Sequence, residues 1–258
     1  MRGALIVSAI PYVFGAGGCS EPAPQPTVHA SPGPPGPVEL LVFDAIPVAG
    51  WLPTPWEPYT FQSVERPTLY TARIEDGHPV LHGNSRGGAS ALRRRVSIDE
   101  SRYPTLEWSW NVSGSIEGAD CTRKETDDCA ARILLLYRFE PDRASLSEKL
   151  EFESARAAHG EYPPSAILVY AWMSPDAPTK PFASPRSDRI RLIPVERGNE
   201  RAGTWVTERR NHVTDFKEAF GKAPPPIDFV AFMIDTDDTG KEATASLESL
   251  RFLPPARR

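Results

Sequence analysis

An all-β chain is predicted: an antiparallel β-sandwich or jelly roll, with one or two short helices. Three observations lead there. In residues 105–112 (TLEWSWNV) Leu106, Trp108, Trp110 and Val112 alternate with polar residues, the period of a half-buried strand. Residues 133–139 are apolar on both parities, as in a strand covered on both faces. About ten strand-like segments are divided by Gly, Pro and Asn turn signals, with no alternating β-α rhythm and no fixed-period repeat.

The chain divides into residues 1–18, 19–38 and 39–258. Arg2 and the apolar run that follows it are too short to span a bilayer and have the form of a secretory signal. Ala16-Gly17-Gly18 directly before Cys19 resembles a bacterial lipobox, with Ala16 where that pattern usually has Leu. The resemblance implies lipid on Cys19, and Ser20 after it implies the periplasmic face of the outer membrane. Residues 20–38 carry seven prolines and few core-forming residues, so they read as an extended spacer. Residues 39–258 read as one sandwich domain.

Within that domain ELLVFDA (39–45) opens as a strand, followed by the Pro- and aromatic-rich WLPTPWEPYTFQ. TLYTARIE (68–75), PVLHGNS (79–85) and ASALRRRVS (89–97) are short strands. Arg93, Arg94 and Arg95 read as a solvated strand edge. After the central pair of strands, residues 145–161 form a charged helical insertion. SAILVYAWM (165–173), DRIRLIPVE (188–196) and TWVTERRN (204–211) return to strand. Residues 213–221 form a short helix closed by Gly221, and IDFVAFMID (227–235) and EATASLESLRFL (242–253) flank the turn TDDTG.

These segments in this order, from GWLPTPWEPYTF through PTLEWSWNV, DDCAARILLLYRF and GTWVTERRNHVTDFKEAFG to IDFVAFMIDTDDTGKEATASLESLRF, resemble the bacterial family DUF3047. The resemblance covers roughly residues 41–252. It implies exported or envelope-associated proteins, a sandwich similar to galactose-binding-like domains, and no established activity.

With Cys19 assigned to lipid, Cys121 and Cys129 remain, and an even pair in an exported chain is expected to bridge. Two acidic groups follow or precede apolar strands: Asp120, Glu125, Asp127 and Asp128, and then Asp235, Asp237 and Asp238. The ends of those strands could meet at one edge of the sandwich. There Arg132 is expected to hold Asp128 and Asp235, with Lys124, Arg209 and Arg210 as further cations. Calcium is the ion that Asp127, Asp128, Asp235 and Asp237 could hold instead, although neither group has the EF-hand register. No other cofactor is expected.

Of six tryptophans, Trp108, Trp110 and Trp172 lie in apolar strands and read as core, whereas Trp51 and Trp56 sit in a Pro-rich stretch and are the ligand-contact candidates. No catalytic residue is assigned, because nucleophile-elbow, zinc-protease and phosphate-loop signatures are absent. A formal charge of −5 argues against a nucleic-acid partner. The expected function is an envelope lipoprotein whose sandwich binds a glycan or an envelope protein, touching the membrane through its lipid alone. The alternative is a polysaccharide-active enzyme working through the acidic edge.

Overall fold

The computed structural model describes residues 36–43 and 52–255. Cys19, the signal segment, the spacer as far as residue 35 and Trp51 lie outside the described residues, whereas Val38, at the spacer's end, belongs to the sandwich. Among the described residues thirteen strands and two α-helices follow in chain order. The first half holds β1 (Val38–Glu39), β2 (Glu57–Thr60), β3 (Leu69–Glu75), β4 (His78–Arg86), β5 (Ala89–Arg95), β6 (Thr105–Val112) and β7 (Cys129–Tyr137). The second holds α1 (Leu146–His159), β8 (Ala166–Met173), β9 (Phe182–Ser184), β10 (Ser187–Arg197), β11 (Trp205–Asn211), α2 (His212–Phe220), β12 (Ile227–Asp235) and β13 (Glu242–Leu253).

Two sheets face each other. One runs β11-β6-β13-β4-β3, with β1 added to β13; the other runs β2-β5-β12-β7-β8-β10-β9. The fold is the expected β-sandwich. Its pairings are antiparallel except that β10 lies parallel to β8. Between the sheets the apolar parities meet: Trp108, Trp110, Leu247 and Phe252 from one side, Leu135, Tyr137, Tyr170, Trp172, Val230 and Phe232 from the other. Trp110 meets Trp172 and Trp108 meets Tyr170 at ring distances of 6.0 and 5.2 Å. Burial of rings this large is the dominant stabilising term of such a core.

Two local expectations need correction. Strand β6 is buried on both faces, because Glu107 on its outer side receives Arg209 from β11 and Arg251 from β13, the residues opposite it in the register. Of the arginine triplet only Arg93 is flanked by strands on both sides, β2 and β12; Arg94 and Arg95 run past the end of β2. Arg94 points inward and donates to the Leu40 carbonyl, while Arg93 on the outer face pairs with Glu57 and Glu161.

Both helices are set by their caps. Ser145 and Glu148 close a capping box on α1 and Gly160 ends it in a left-handed conformation. Phe152 of α1 stacks on Phe139, with ring centroids 3.8 Å apart, and this seats the helix beside the outer face of the seven-stranded sheet. Helix α2 puts Phe216 against Tyr137 at the end of the core. Among the described residues no helix is long and apolar enough to cross a membrane.

Candidate functional site: a groove on the outer face of the seven-stranded sheet

A strand's alternate residues face opposite ways, so each strand that buries one parity in the core offers the other to the outside. In this sheet that second parity is also apolar. Ala89 and Ala91 of β5, Ala231 and Met233 of β12, Leu134 and Leu136 of β7, Ile167 and Val169 of β8, and Ile190 and Leu192 of β10 form a continuous floor. Tyr59 and Phe61 rise on one side in an edge-to-face contact of 5.5 Å. Above this floor lies a hollow of about 360 Å³. A second, of about 630 Å³, continues it between β2, α1 and the Tyr162-Pro163-Pro164 segment, and the two share Tyr59, Arg93 and Leu136.

The ends of the groove differ. Arg95, Arg138 and Arg156 line one, with Asp228 taking both Nε and Nη2 of Arg138 at 2.9 and 2.7 Å. The other is the acidic edge. There β7 carries a bulge: Met233 faces Arg132 and Asp235 faces Cys129, so Ala130 and Ala131 together stand opposite Ile234. The extra residue changes the parity, and Cys129, Arg132 and Asp235 all emerge on the groove side.

At that edge Nη2 of Arg132 lies 3.1 Å from Asp127 and 3.2 Å from Asp235, the second being one of its two expected partners. Asp128 is not held by Arg132. It accepts instead from the backbone N–H groups of Asp238 and Thr239, at 3.2 and 2.7 Å. Arg186, from the turn between β9 and β10, pairs with both Asp127 and Asp238. Burial pushes the Asp235 carboxyl well above the usual range; Arg132 opposes this, while Asp237 and Asp128 add to it.

The other expected residues are distributed differently. Asp120 stands apart, its carboxylate closing a local turn onto the Thr122 amide and hydroxyl and held below its ordinary range by those bonds. Arg209 serves Glu107 and Arg210 serves Asp215, so neither joins the acidic edge. Trp56 is 6 % exposed and donates from Nε1 to the Leu40 carbonyl at 2.9 Å; it is a core residue, not a contact residue. Cys121 and Cys129 are buried with sulfurs 2.7 Å apart, and the expected disulfide does not join them in this structure. Burial opposes ionisation of Cys129, but the Cys121 contact and the Arg132 guanidinium outweigh it, so Cys129 is the more acidic of the two.

Sequence reasoning missed Arg186 and the Tyr59–Phe61 wall. The wall had a signal, since both rings lie in the aromatic stretch that drew attention to Trp56. Arg186 had none, because only the pairing of β9 with β10 brings it to the edge.

The chain belongs to the family described as a protein of unknown function, DUF3047, which it matches over residues 54–251. No curated protein matches it. Solved structures that align with it do so distantly. The glycoside hydrolase domain of Endo-D from Streptococcus pneumoniae R6 is 9% identical, with 79% of this chain and 22% of that one aligned and a TM-score of 0.33. A point mutant of the family 29 carbohydrate binding module CBM29-2 is 12% identical over 79% of each chain, with a TM-score of 0.30. An exo-β-agarase is 7% identical over 86% of this chain and 26% of that one, with a TM-score of 0.35.

Proposed function

We propose that the protein is a non-catalytic glycan-binding module of the bacterial envelope, with its ligand lying along the groove. The observation that carries this reading is the continuity of the two hollows over one apolar floor. Apolar floors and aromatic walls accept the C–H faces of sugar rings. Along the margins, Arg93, Arg95, Arg138 and Asp228 offer fixed donors and acceptors for hydroxyl groups. An elongated trough fits a chain of several sugars better than a single small molecule.

The rest of the proposal concerns placement. Residues 1–18 direct export, Cys19 carries lipid on the periplasmic face of the outer membrane, and residues 19–38 hold the module of residues 39–258 away from the bilayer. At ~3.1 Å per residue, the spacer reaches roughly 50 Å.

A second reading is favoured by one observation. A carboxyl whose hold on its proton is strengthened by burial, as that of Asp235 is, is what a glycosidase acid requires. One experiment separates the two. Purified protein is screened against cell-wall and capsular glycans and scored for both retention and cleavage. Retention without cleavage supports the binding module; cleavage that Asp235→Asn abolishes would replace it with the enzyme. A partner protein, the other ligand class, is supported if no glycan is retained.

A further inference from the structure

We propose that Asp128, Asp235 and Asp237 form a binding site for a calcium-sized divalent cation at the acidic end of the groove. One carboxylate oxygen from each lies within 4.8 Å of the other two. Such a cluster alone is no site, but Asp235 adds an independent observation. It is 6 % exposed, and its Oδ2 is turned to Arg132. Its Oδ1 is buried with no hydrogen-bond partner among the described residues. A buried acceptor left unmet costs about 1–3 kcal/mol, and more for a charged group, so the folded protein gains by completing it. Arg132 meets Asp127 and the other oxygen of Asp235 through Nη2 and does not reach Oδ1, although its own Nε is also left without a partner.

The local backbone holds the three carboxylates in place. Thr236, between two of them, faces the other way and bonds to the Ser85 hydroxyl at 2.8 Å. Asp235 and Asp237 therefore emerge together at the end of β12. Asp128 is fixed by the two amides of the following turn, and each of its oxygens keeps a second lone pair. Asp127 is excluded from the set, because Arg132 and Arg186 occupy its carboxylate.

Charge points the same way. The edge gathers Asp127, Asp128, Asp235, Asp237 and Asp238 against Arg132, Arg186 and the Lys124 ammonium, a surplus of two negative charges. All the donors are hard oxygens, which excludes the softer transition metals. The irregular set, open to the groove, suits the flexible six to eight ligands of calcium better than the strict octahedron of magnesium.

The test uses the full chain, freed of metal by chelator and titrated with terbium or calcium at pH 7. The proposal expects sensitised terbium luminescence that calcium displaces, and a melting temperature that calcium raises by several degrees while equal magnesium does not. Asp237→Asn, at the groove side of the site, should weaken calcium binding at least tenfold without unfolding the protein. Asp120→Asn, in the loop that carries Asp128 but outside the cluster, should leave it unchanged. Neither luminescence nor a calcium shift at millimolar concentration would overturn the proposal, leaving a shared proton to complete Asp235. So would binding that Asp237→Asn and Asp120→Asn weaken equally, since the ion would then sit on diffuse surface charge.

Discussion

Nη2 of Arg132 lies 3.2 Å from Oδ2 of Asp235, across the neighbouring strands β7 and β12. Both side chains are buried, and the same guanidinium also reaches Asp127. Removing a charge from such a set leaves its partners unpaired away from water, and that costs more than the pair itself contributes. Arg132→Met should therefore lose roughly 3–5 kcal/mol in urea unfolding. A loss under about 1 kcal/mol would mean that water reaches these carboxylates and that the wiring is weak.

The Trp56 reassignment makes its own forecast. Its indole donates to the same Leu40 carbonyl that Arg94 reaches. Trp56→Phe should cost about 1–3 kcal/mol, from a lost hydrogen bond and a partly filled space. Glycan retention should be unchanged once the variant is folded. Lost retention at full stability would restore Trp56 as a contact residue.

Glu208 on β11 supplies a pH dependence. Burial first, and Glu196 beside it second, push its carboxyl from the ordinary 4.5 up to about 7. The folded state therefore keeps a proton that the unfolded chain has released. Its contribution is fully present below about pH 4.5 and is lost as pH rises through about 7. Discounted for partial exposure, the loss is about 1–2 kcal/mol. Glu208→Gln should flatten the stability profile between pH 5 and 8. A profile of unchanged slope would show that another group titrates there.

Cys121 and Cys129 are thiols, both buried. Alkylation of the native protein should spare both, and alkylation after unfolding without reductant should label both, as read by peptide mass. A joined peptide pair that only reductant separates would contradict this description.

Much of the sandwich was legible because side-chain period reports burial directly. Trp108 and Trp110 alternate with polar residues, and Ile133 to Tyr137 is apolar throughout, because one face of that strand lies in the core and the other floors the groove. The Arg132–Asp235 contact was legible too, since each residue borders a buried strand and an arginine there needs an anion. What could not be read depends on register. The bulge at Ala130-Ala131 brings Cys129 and Arg132 to one face, and no local pattern announces it. Arg186 arrives at Asp127 from 59 residues away. Trp56 differs from Tyr59 by its place in a tight turn, where its N–H bonds to Pro53 and its ring swings inward. Composition alone makes both look like contact residues.

The groove itself is best tested by filling it. Leu134 sits on the central strand β7, half-buried in the floor, and Tyr59 stands in the wall. Binding of a retained glycan is measured by calorimetry for the parent, Leu134→Trp and Tyr59→Ala, with melting curves as the check on folding. The account predicts a loss of at least tenfold for both variants at near-parent melting temperature. Parent-like affinity in folded Leu134→Trp would place the ligand elsewhere on the sandwich and contradict the central claim.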